Sequence, residues 1–128
     1  MLKKLLVVLA LCSVVTILLA ACTTSTLSRT NNPTTVHMGD KDFLQHSITI
    51  KKGDTITLID DTSATHIINN GKWDSNGNAE PLNEHGAPTV ELQFQGNDTQ
   101  QVGPFNATGT FQLYCTIHTN MNLMVIVQ

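Results

Sequence analysis

The sequence predicts an all-β sandwich behind an N-terminal export segment, and three observations carry that prediction. Short runs alternate apolar and polar residues with period two, Gly, Asn, Asp and Pro punctuate them, and nothing after residue 36 has helical periodicity. At 128 residues the chain holds one domain with a modest core. Charged residues make up 13% and hydrophobic residues 41%, a globular composition without the block of like charge that a nucleic-acid surface needs. The formal charge of −3 counts Lys3 and Lys4, so loss of the leader makes the remaining chain more acidic and favours a neutral or basic docking partner.

Taken in order, the chain opens with Lys3-Lys4 and an apolar run over residues 5–21, interrupted at Cys12, Ser13 and Thr16. This is a secretory signal pattern. It ends in Leu19-Ala20-Ala21-Cys22, which resembles the bacterial lipobox: small residues suit the signal peptidase, and the Cys22 thiol takes the diacylglyceryl group. The expected division is a lipoprotein signal peptide at 1–21, a lipidated Cys22 leading a tether over 22–35, and a folded domain over 36–128. An uncleaved anchor and ordinary cleavage near Ala21 are the alternatives. All three put the domain outside the cytoplasm, and the lipobox reading anchors it to the bacterial cell membrane. The tether is mostly Thr, Ser and Asn, and as a coil of about 13 residues it spans roughly 20 Å.

Within the domain, residues 46–50 and 55–59 alternate on either side of the Lys51-Lys52-Gly53-Asp54 turn, the clearest strand–turn–strand signal in the chain. Further strands are expected over 65–68, 89–94, 110–115 and 123–127. The Asn-, Gly- and Pro-rich stretch between Asn69 and Pro88 predicts a long excursion with little regular structure.

The chemistry concentrates near the C-terminus. With Cys12 in the signal and Cys22 lipidated, Cys115 is the one thiol left in the domain, in an oxidising compartment where an unpaired Cys needs protection or a task. The run Tyr114-Cys115-Thr116-Ile117-His118-Thr119-Asn120-Met121 puts thiolate, imidazole and thioether in one tight turn after a strand. Soft sulfur with imidazole selects copper, and two His and one Cys with a distant Met is the blue-copper arrangement. The second His has to come from elsewhere. His66 is the best candidate, because it follows the turn at residues 60–64 and opens the next apolar run.

These residues resemble the cupredoxins, above all their amicyanin- and plastocyanin-like members with a short ligand loop. The similarity covers nearly all of 36–128 and rests on the Cys-x-x-His-x-x-Met loop, on a His placed after a strand pair, and on the Gly109-Thr110-Phe111-Gln112-Leu113-Tyr114-Cys115 strand leading into the loop. The resemblance implies a Greek-key β-sandwich binding one type 1 copper through His66, Cys115, His118 and Met121. It further implies an electron carrier rather than an enzyme, a monomer that docks transiently with redox partners, and His118 as the solvent-side electron port within a rim of Ile117, Thr119 and Asn120.

Two departures matter. The Asn that follows the first His in many relatives is Ile67 here, so a tie between the ligand loops has to be made by backbone or be missing. The Pro after the second His is Thr119, whose N–H is free to donate to the Cys115 sulfur. His37, His46 and His85 read as surface or structural residues, and Met124, the rival axial ligand, reads as core of the last strand. Trp73 and the Glu84-His85-Gly86 segment are either a wall near the site or loop packing. A copper-delivery protein without redox cycling is the main alternative. A multicopper enzyme lacks its extra His pairs, a binuclear centre lacks its second Cys, and a Cys–His hydrolase leaves Met121 and one His without a role.

Overall fold

The computed structural model describes residues 34–128, so the signal, Cys22 and most of the tether lie outside the described residues. The strands are β1 (Thr35–Met38), β2 (Ser47–Ile50), β3 (Ile56–Asp60), β4 (His66–Trp73), β5 (Ala79–Pro81), β6 (Glu91–Phe94), β7 (Thr99–Val102), β8 (Gly109–Cys115) and β9 (Asn122–Val127). No helix occurs among the described residues. One sheet is ordered β1-β3-β7, the other β2-β9-β8-β4-β5, with β6 also paired to β4.

Alternation decides which face each strand buries. In β3, Ile56, Leu58 and Asp60 point inward; in β8, Phe111, Leu113 and Cys115 do; in β9, Leu123, Val125 and Val127 do. All of these but Asp60 belong to one continuous apolar core between the sheets, with Phe94 and Phe105. Tyr114 breaks the pattern, since it is buried on the outer face of β8. The cause is Gly71, whose backbone lies so close that a Cβ there would come within 2.7 Å of the Tyr114 ring.

The two alternating runs around residues 51–54 form strands, but not a hairpin. β2 runs parallel to β9, while β3 runs parallel to β1 and antiparallel to β7. The turn, with Gly53 at φ 91° and Lys51 N–H donating to the Asp54 carboxylate at 2.9 Å, therefore arches from one sheet to the other.

The stretch expected to be irregular is partly ordered: β4 runs on to Trp73 and β5 returns against it, Trp73 facing Ala79. Asparagine side chains do the work that strand formers do elsewhere. Asn70 accepts from Val90 N–H at 2.7 Å and donates to Pro88 O at 3.0 Å, pinning the following loop. Asp74 closes the β4–β5 turn by accepting from the Asn76 and Asn78 amides, each at 2.8 Å, and from the Asn78 side chain at 2.9 Å, bonds that hold its carboxyl below the usual range.

Candidate metal centre

The site lies where β4 begins and β8 ends. Ile68 is in register with Cys115, which brings His66 near the loop that follows Cys115. That loop closes on itself: Cys115 N–H donates to Met121 O at 3.0 Å and Met121 N–H to His118 O at 3.2 Å. The tie that Ile67 leaves open is made by backbone, with Thr116 N–H donating to Ile67 O at 2.8 Å. Among the described residues Thr119 N–H makes no hydrogen bond to the Cys115 sulfur; the polar atom that reaches that sulfur is His118 Nδ1, at 3.5 Å.

The result is a convergence of donors. His66 Nδ1 and His118 Nδ1 lie 3.2 Å apart, their rings inclined at 65°, and ligand atoms of His66, Cys115 and His118 all fall within 4.8 Å of one another. His66 and Cys115 are fully buried; His118 is partly exposed. Three buried or half-buried donors converge here, and a metal ion would satisfy all three at once, whereas a single N–H between the two nitrogens satisfies only that pair. Imidazole, imidazole and thiolate, with a thioether available on the same loop, fit a type 1 copper site.

Met121 is 1% exposed and lies inside that loop, whereas Met124 is 39% exposed, its backbone paired with Ser47 and Gln112. The expectation of Met124 as core is thus corrected: β9 turns it outward because Leu123 and Val125 take the inward positions. His46 and His85 are exposed, and His37 makes a solvent-side pair with Asp61 at 2.8 Å.

Two contributors escaped the sequence reading. Asp60 is 2% exposed, with Oδ1 3.8 Å from His66 Nε2; Thr62 donates to Oδ1 through its amide at 3.1 Å and its hydroxyl at 3.2 Å. Asp60 Oδ2 and His66 Nε2 are both buried without partners. A carboxylate facing the far nitrogen of a ligating His favours the proton there and leaves Nδ1 for metal. Its signal was legible: Asp60 shares the parity of Ile56 and Leu58, so an acid stood at a core position. The second is Trp73, named above only as wall or packing. Its indole N–H donates to Cys115 O at 2.8 Å, and its ring meets Tyr114 edge to face at 6.0 Å.

Burial lowers the His66 pKa from its ordinary 6.5; Asp60 opposes the shift, the neighbouring His118 adds to it, and the Gly39 backbone and Asp40 oppose it further. Below that ordinary value the unfolded chain binds a proton that the folded site resists, so folding stability falls with pH from about 6.5 downward. Urea midpoints of the metal-free protein are expected to be level above pH 7 and to drop between pH 6.5 and 5. A flat profile across that window would contradict the burial of a neutral His66.

This two-sheet architecture, with its donor cluster at one end, is the cupredoxin fold. Structural comparison agrees: the chain superposes on a purple cupredoxin from Nitrosopumilus maritimus with a TM-score of 0.56 at 19% identity, covering 73% of this chain and 98% of that one. Amicyanin from Paracoccus versutus gives 0.55 at 22% identity over 73% and 79%. A Cu(I) form of an amicyanin variant gives 0.54 at 20% identity over 73% and 80%. No protein-family model matches the sequence, and no curated protein matches it in sequence.

Proposed function

We propose that the protein is a type 1 blue-copper electron carrier, in which His66, Cys115 and His118 would hold one copper and the Met121 thioether would serve as a weaker fourth donor. Lipid on Cys22 keeps it at the extracytoplasmic face of the membrane, where it exchanges single electrons with transient protein partners. The observation that carries this reading is the convergence of His66, Cys115 and His118 within 4.8 Å at the end of a closed sandwich. Bound copper would supply the redox couple; the chain supplies rigidity. His66 and Cys115 are fixed on paired strands, so little has to move when the charge of the site changes. His118, the one partly exposed member, offers an imidazole edge to a partner, framed by Ile117 at 49% exposure and by Thr119 and Asn120. Docking of this kind is small and short-lived.

Voltammetry of the copper-loaded protein tests the reading. A reversible one-electron couple supports it. Tight Cu(I) binding with no reversible couple, and release of the metal to a competing chelator, would favour copper delivery instead. For the anchor, Cys22→Ser is expected to move the protein from the membrane to the soluble fraction; an unchanged distribution would count against lipidation.

Asp60 supplies a further prediction. Its negative charge beside His66 favours the more positive Cu(II), so Asp60→Asn is expected to raise the reduction potential and to weaken Cu(II) binding about 10- to 100-fold, read by chelator competition. An unchanged or lowered potential would remove Asp60 from this role.

A further inference from the structure

One residue holds both ends of the ligand loop from outside. After Asn70 the chain leaves β8 at Gly71, whose φ of 138° and missing side chain let the backbone lie flat on the Tyr114 ring. This bend carries Trp73 across Tyr114 to the loop. There Trp73 N–H donates to Asn122 Oδ1 at 2.8 Å, Asn122 Nδ2 donates back to Trp73 O at 3.0 Å, and the indole N–H donates to Cys115 O at 2.8 Å. Cys115 opens the segment that contains the ligands, and Asn122 directly follows its last candidate ligand, Met121. The adjoining β4–β5 turn leans on the same segment, since a Cβ at Gly77 would lie 3.5 Å from the Thr119 methyl.

We propose that Trp73, clasped to Asn122, is the positioning residue of the ligand loop: it fixes the distance between the loop's two ends and thereby the orientation of Cys115 toward the metal. This rests on the copper reading for its spectroscopic consequence, but the clasp itself acts in the metal-free protein. The chemistry favours such a role. A reciprocal amide pair imitates a strand bond where no strand continues, and the indole bond takes up the carbonyl of a residue whose side chain is occupied elsewhere. A ligand held by supporting hydrogen bonds keeps its geometry when the metal changes charge.

Two variants test this in the full-length protein. Trp73→Phe keeps a smaller ring against Tyr114 and the backbone bonds to Asn122, and removes the indole donor. Asn122→Ala removes the reciprocal pair and serves if the first variant fails to fold. Lys72→Ala, which cuts only the surface Lys72–Glu80 pair at 3.4 Å, is the control. In metal-free protein, amide hydrogen exchange over residues 115–122 is expected to quicken roughly three- to tenfold in the clasp variants while core amides of β8 and β9 stay protected. After copper loading, the same variants are expected to change the ratio of the thiolate-to-copper bands and the copper hyperfine splitting, with Lys72→Ala matching the wild type. Unchanged exchange in both clasp variants, or acceleration spread evenly over the domain, would overturn the proposal. A wild-type protein that gives no blue copper while the local acceleration persists would leave the clasp standing and sink the copper reading.

Discussion

Cys115→Ser is expected to abolish any intense visible band of the copper-loaded protein and to weaken Cu(I) binding by more than about a hundredfold. The bound is set by comparison, since losing an outer partner of a metal ligand already costs 10- to 100-fold, and here the ligand itself is lost. The substitution also replaces the softest donor by a hydroxyl that keeps its proton at neutral pH, while His66 and His118 remain to hold Cu(II) weakly. The fold should survive. A buried hydroxyl costs about 1–3 kcal/mol, and His118 Nδ1 stands 3.5 Å from the Cys115 sulfur to receive part of that loss. Chelator competition for Cu(I), with far-UV circular dichroism as the control for folding, decides it. A variant within threefold of the wild type would show that Cys115 is not a ligand.

The second large effect is on stability. Gly71→Val places a branched side chain at φ 138°, where its Cβ would meet Glu80 O at 2.4 Å and the Tyr114 ring at 2.7 Å. Backbone strain of about 1–3 kcal/mol adds to overpacking of about 1–3 kcal/mol. A loss of about 3 kcal/mol lowers the thermal midpoint by roughly 12 °C or more for a domain of this size. Gly53→Ala provides the contrast: its φ is also positive, at 91°, but nothing lies within 4 Å of its Cβ, so only strain of about 1–2 kcal/mol applies. Equal melting losses in the two variants would mean that the close approach of Gly71 to Tyr114 contributes nothing.

The parts of this structure that the sequence made legible are those in which local pattern and chemistry coincide. β8, β9 and the loop between them could be read because Phe111, Leu113 and Cys115 alternate inward and the metal-ligand types fall within one turn. β7 could not, since Thr99-Gln100-Gln101-Val102 carries one apolar residue and gains its order from pairing with β3. β5 is exposed throughout and exists because β4 continues past its predicted end. Strand pairing was hidden for a different reason. β2 and β9 lie side by side in space but far apart along the chain, and alternation records which face is buried without recording which strand lies alongside. The Trp73–Asn122 clasp was invisible on the same grounds, its residues being 49 positions apart. Asp60 is the instructive omission, because a carboxylate at an inward position of an alternating strand already announced a buried charge in need of a partner.

A type 1 redox centre requires that His66, Cys115 and His118 close around copper. The most direct measurement is the visible absorption of the wild-type protein during titration with Cu(II), followed by a mild reductant and then a mild oxidant. An intense thiolate-to-copper band is expected that saturates at one copper per chain, bleaches on reduction and returns in full on reoxidation. Titration that yields no such band, or a band that does not return, would contradict the copper reading.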